Sequence, residues 1–163
     1  MQLPLDIPVI DSNVHVYQQA EVGRRAQMGM GKTNIKYDGT PEDFLELLAQ
    51  VSTNKASGGI MKNFTPTAEM AQAAWAKAAT PKTQYSPETA AHPNKQAEER
   101  VMYDNVRDMI AARLRRRNAW GNEVSKKYPN LWNFIGIDPH FLTPEENVEE
   151  LELRVKEGAK GVK

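Results

Sequence analysis

The stretch LWNFIGIDPHFLTPEENVEELELRVKEGAKGVK, Leu131 to Lys163, decides the fold. Its first half, Leu131 to Asp138, is a short apolar run of strand length that ends in a carboxylate, and Asp138-Pro139 then turns the chain. Thr143-Pro144-Glu145-Glu146 is a helix start: Thr143 caps, proline takes the first helical position, and Glu146 stands where it can bond back to the cap. Val148, Leu151 and Val155 are expected to form the apolar stripe of that helix, and Gly158 to end it. Ala159 to Lys163 then begins another strand. Strand, helix, strand is the unit that joins parallel neighbours, because a parallel partner needs a long return connection.

Two similar units precede it. Pro8 to Tyr17 opens with β-branched residues and goes on to alternate apolar with polar, as a strand does. Thr40-Pro41-Glu42-Asp43 starts a helix with Phe44, Leu45, Leu48 and Val51 on one face, and Gly58 to Phe64 reads as a second strand entered tightly through its glycines. Residues 65–100 form a long excursion, with an Ala-rich amphipathic piece around Met70, Ala71, Ala74 and Trp75 and an aperiodic stretch holding His92. From Ala97 to Lys127, Val101, Met102, Val106, Met109, Ile110, Leu114 and Val124 recur at helical intervals; Gly121 is expected to interrupt or kink them. Arg113, Arg115, Arg116 and Arg117 read as a solvated helix face, and Trp75 and Trp120 as packing anchors. The alternation predicts a parallel α/β sheet, either doubly wound and open or part of a closed barrel. Met28 to Thr33 lacks the first glycine of a phosphate loop and is read as a mobile Gly-rich loop.

Composition narrows the function. The 163 residues carry 21 Lys and Arg against 21 Asp and Glu, so no net field draws the chain to nucleic acid or anionic lipid. With no cysteine, any metal must be held by His and oxygen donors. There is no signal-like start and no run of 18 apolar residues, so a soluble, cytoplasmic protein is expected.

Alternation puts Asp11, Asn13 and His15 on one side of the first strand's end, where they could hold a divalent ion or merely satisfy one another and nearby backbone. Spacing alone favours the second. Asp138 and His140 end the third strand, where they either line a mouth or form an ordinary strand-to-helix turn.

Val9-Ile10-Asp11-Ser12-Asn13-Val14-His15 resembles the opening strand of the amidohydrolase superfamily, in which an isoleucine-aspartate pair precedes a His-x-His metal motif. Asn118 to Glu123, Tyr128-Pro129, Phe134 to Pro139 and Glu157 to Lys163 are similar to the third- and fourth-strand region of its amidohydrolase-related, decarboxylating branch, which includes aminocarboxymuconate-semialdehyde decarboxylase and resorcylate decarboxylase. The resemblance implies a partial TIM (β/α)8 barrel over residues 1–163, the N-terminal part of one domain, with strands 1 to 4 and three intervening helices. It implies a metal held by His15 and Asn13, zinc first and manganese or magnesium as alternatives. Asp11, Asp138, His140 and Lys163 would support that site or line its mouth. Asn13 stands where the superfamily usually has a histidine, which weakens the ligand set because a neutral amide brings no charge. The activity implied is hydrolysis or non-oxidative decarboxylation of a small carboxylate, amide or lactone. The chain alone is expected to be inactive, with a small-molecule substrate and homo-oligomerisation as compatible partners. The alternative is a non-catalytic binding or structural protein with a decayed site. Residues 18–40 and 65–100 are expected at the same end of the sheet as His15.

Overall fold

A computed structural model describes residues 3–63 and 95–163, with positions 69, 72, 73 and 76 between them and side chains in the long helix from 104 onward. The expected helix around Met70, Ala71, Ala74 and Trp75, the placement of the 65–100 excursion, and His92 lie outside the described residues. The elements are β1 (Ile10–Val14), α1 (Ala20–Gly29), α2 (Pro41–Val51), β2 (Gly58–Lys62), α3 (Lys95–Lys127), β3 (Leu131–Ile135), α4 (Pro144–Lys156) and β4 (Gly161–Val162). All strands run parallel in the order β1-β2-β3-β4, with no reversal of the kind that marks a doubly wound sheet. The protein is an α/β structure with a four-stranded parallel sheet and alternating helices.

One face of the sheet is buried under helices. Val14, Val16, Met61 and Leu131 pack with Val124 of α3, flanked by Phe44 of α2, by Trp120, and by Tyr128 just after α3. Leu131 is fully buried, a contribution of about 1.5–3 kcal/mol from the side chain alone. Gly59 makes the α2 contact fit: a Cβ there would stand 2.5 Å from Val14 Cγ2 and 2.6 Å from the Phe44 ring. The opposite face, on the alternate residues, holds Ile60, Lys62, Trp132 and Phe134, all partly exposed. In the described residues no helix is long and apolar enough to cross a membrane.

Both expected caps form. Thr40 and Asp43 make a reciprocal capping box at α2, and Thr143 and Glu146 make one at α4, each with proline behind the cap. Gly158 follows α4 with φ +114, a conformation open to glycine and strained for other residues.

Three expectations are corrected. Residues 20–29, within a stretch read as polar loop, form α1, so four helices rather than three are described. Gly23 lets α1 lie against the Asp38 backbone and the Tyr17 ring, and Gly31, at φ +81, stands just beyond the helix end. Gly121 does not interrupt the helix: α3 runs on from Lys95 to Lys127. A Cβ at 121 would collide with Asn133 Oδ1 and stand 2.6 Å from Asn63 Nδ2, so the glycine is there for close approach of the sheet. Finally, α4 turns its apolar stripe outward. Val148 and Val155 are 52% and 53% exposed, while Glu150 and Arg154 are buried.

The reason is a buried polar layer between α3, α4 and the sheet. Asn63 Nδ2 donates to Asn133 Oδ1 (2.5 Å), and Asn133 Nδ2 donates to Asn122 Oδ1 (2.6 Å) and to the Asn118 carbonyl (3.2 Å). Asn118 brackets Gly136, accepting from its N–H (2.9 Å) and donating to its carbonyl (3.0 Å), and also donates to Glu150 (3.1 Å). Asn122 donates to the Arg154 carbonyl (2.9 Å), and Arg154 pairs with Glu150 (2.8 Å) and Glu157 (2.6 Å). A buried amide without partners costs about 1–3 kcal/mol, so α4 must offer α3 its polar side.

For Gly121→Ala, better helix propensity gains about 1 kcal/mol. The clash with Asn133 and Asn63 costs about 1–3 kcal/mol and strains the amide layer. We expect the melting temperature to fall by several degrees, read by circular dichroism; an unchanged or higher value contradicts the close-approach role.

Candidate functional site

The C-terminal ends of parallel strands present side chains to one end of the sheet. Val14 and Val16 are buried against the helices, so Asn13 and His15, which flank Val14, point to the opposite, open face, and both are exposed. Asp11 does not follow by simple alternation: the register slips between Asp11 and Val14, where the β1–β2 pairing is irregular. Its Oδ1 accepts from the Asn13 N–H at 2.8 Å, a local turn that fixes the bulge.

Two lysines share this face. Val14 pairs with Met61, so Lys62 lies beside His15 on the neighbouring strand. Phe134 pairs with Gly161, where the Phe134 ring occupies the space a Cβ would need, and Lys163 follows two residues later on the same side. Lys163 Nζ donates back across β3 to the Asn63 carbonyl, at 3.4 Å. Arg117 reaches the same end from α3: its Nη2 donates to the Val16 carbonyl (3.2 Å), and its guanidinium lies 4.7 Å from the Trp120 ring centre.

These cations set the electrostatics. Partial burial lowers the His15 pKa below its ordinary 6.5, and Lys163, Lys62 and Arg117 lower it further, against an opposing pull from Asp11. The imidazole is therefore neutral at pH 7, the form that ligates a metal or accepts a proton. Burial also lowers the Arg117 pKa, with Tyr17 opposing and Arg113 adding to the fall.

The other sequence candidates lie apart. Asp138 is fully buried; its Oδ1 accepts from the His140 and Phe141 N–H groups (2.8 and 3.2 Å), and its own N–H donates to Asn147 Oδ1 (2.9 Å). Its Oδ2 has no hydrogen-bond partner among the described residues. The His140 side chain is exposed, so Asp138 and His140 form a strand-to-helix turn rather than a facing pair. Among the described residues no three His, Asp or Glu side chains are placed to share an ion. Lys62 and Arg117 were not singled out from sequence as site residues. The signal for Lys62 was its place next to Met61, on the other face of β2; Arg117 was hidden inside an arginine run whose other members, Arg113, Arg115 and Arg116, are exposed.

The excursion after β1 leaves and returns at this end, because the Tyr17 N–H donates to the Gly39 carbonyl at 2.9 Å and closes its base. Its two ends therefore stand at the same end of the sheet as His15. Comparison with known proteins finds no matching family model, no matching curated protein and no matching solved structure.

The lowered pKa of His15 has a consequence for acid stability. Between its folded value and the ordinary 6.5, the unfolded chain binds the proton more readily than the folded one. His15 therefore costs nothing above that window, and stability declines as pH falls through it. In metal-free protein the His15 Cε1–H resonance should titrate below 6.5, and His15→Gln should flatten part of the stability loss between pH 7 and pH 5. A His15 titration at or above 6.5 contradicts the cationic surroundings.

Proposed function

We propose that the chain forms strands one to four of a (β/α)-barrel of amidohydrolase type, and that His15 and Asn13 are the first-strand corner of a divalent metal site that hydrolyses or decarboxylates a small carboxylate, amide or lactone. The observation that carries this reading is the placement of a neutral-favouring His15 at the C-terminal end of the first strand, on the open face of a parallel sheet ordered β1-β2-β3-β4. A sheet progressing in one direction with helices on one face curves toward closure, and barrel chemistry sits at the C-terminal ends of the strands. The resemblance of residues 9–15 to a His-x-His strand adds to this.

The residues at the corner fit an ion in part. His15 offers an exposed imidazole nitrogen and Asn13 an exposed amide oxygen, while Asp11, bound to the Asn13 backbone, steadies the pair. Two neutral donors beside Lys62, Lys163 and Arg117 hold a cation weakly, so most of the affinity must come from further ligands. When bound, a divalent ion there would activate water or polarise a substrate carboxylate. The cations on the same face keep an anionic substrate near the imidazole. The second reading, a non-catalytic binding protein, rests on Asn13, a neutral amide where the resemblance leads one to expect a histidine.

The test is metal stoichiometry and activity of the full-length protein after dialysis. His15→Ala should abolish both, and Asn13→His, which restores a second imidazole, should tighten zinc binding by roughly tenfold or more. Unchanged metal content and activity in His15→Ala would contradict the assignment.

A further inference from the structure

Lys62 and Lys163 stand two strands apart, about 10 Å at the backbone by ordinary strand spacing. Their side chains extend from the same face, and Lys163 leans back over β3 to the carbonyl of Asn63, the residue after Lys62. Between them β3 presents Phe134 and then Gly136, which has no side chain to fill the gap. Phe134 lies on that face level with Lys62 and Trp132 two residues nearer the N-terminal end, and the two half-covered rings give an apolar floor beside the lysines. Among the described residues neither lysine forms an ion pair, whereas Arg24, Arg107, Arg115, Lys127 and Arg154 do. Arg117 adds a third positive charge at the same end, also without an ion pair among the described residues.

We propose that Lys62 and Lys163 are an oxyanion-binding pair that spans β3 and takes the charged end of a ligand whose apolar body rests on Trp132 and Phe134. Two flexible ammonium groups approaching from opposite sides can each bond one oxygen of a carboxylate, and charge-assisted bonds of this kind are the strong ones. The floor selects for a flat apolar body, which a carboxylic acid such as benzoate has and inorganic phosphate lacks. The pair names the groups that hold the anion and stands without the metal reading. A site that binds the anion on metal-free protein leaves that reading untouched, and a failed metal site leaves the pair untouched.

The experiment is calorimetric titration at pH 7.5 of protein stripped on a chelating resin, with benzoate, acetate and inorganic phosphate as separate probes. Benzoate should bind more tightly than acetate. Lys62→Gln and Lys163→Gln should each weaken benzoate by about five- to tenfold. Lys62→Arg should retain binding, and Lys55→Gln, at the other end of the sheet, should leave it unchanged. Circular dichroism melts of each variant show that the fold is kept. Phosphate binding tighter than benzoate with the same lysine dependence would uphold the pair and overturn the apolar floor. No benzoate or phosphate binding by the parent, or equal affinity in the parent and both glutamine variants, would overturn the pair.

Discussion

The structure depends on the amide of Asn133. It is fully buried in the middle of β3, and each of its polar atoms bonds a different element: Asn63 just past β2 through Oδ1, and Asn122 and the Asn118 carbonyl of α3 through Nδ2. An apolar residue there would fill the space but leave several buried donors and acceptors without partners. Such a layer is all or nothing: satisfied, it fixes one arrangement, and half satisfied it is worse than an apolar core.

From that node the rest follows by necessity. Asn133 can reach Asn63 only because Gly121 carries no side chain, so a helix-weakening residue sits in the middle of the longest helix. Asn118 and Asn122 then face α4 with amides to satisfy, and α4 answers with Glu150, Arg154 and the Arg154 carbonyl. The apolar stripe of α4 is displaced to the outside. Asn118 also clasps Gly136 at both its N–H and its carbonyl, which sets the path of the chain just past β3. Lys163, His15 and Lys62 take their positions around that path, so an inner layer of amides places the cations of the open face.

Much of this was legible in the sequence. The parallel order, both helix starts and the strand positions came from local chemistry: Thr-Pro-Glu-Asp and Thr-Pro-Glu-Glu satisfy helix N-termini whatever else the chain does. The outward stripe of α4 was not legible, because periodicity shows which residues share a face but not whether a neighbour demands polarity. Gly121 misled for a similar reason, since propensity weighs a glycine against alanine and ignores what passes over it. At the site, alternation placed Asn13 and His15 correctly relative to buried Val14, but the register slip after Asp11 could not be seen. Lys62 and Arg117 went unremarked because a lone lysine and one arginine of a run look like solvated charge until the pairing brings them beside His15.

The most direct measurement is the unfolding free energy of Asn133→Leu, a near-isosteric apolar replacement, from urea titration of parent and variant. The amide-layer account predicts a loss of about 3 kcal/mol or more, because Asn63, Asn122 and the Asn118 carbonyl each lose a buried partner. A variant as stable as the parent, or more so, would mean that apolar packing holds the helices to the sheet and that the polar layer does not order the strand ends.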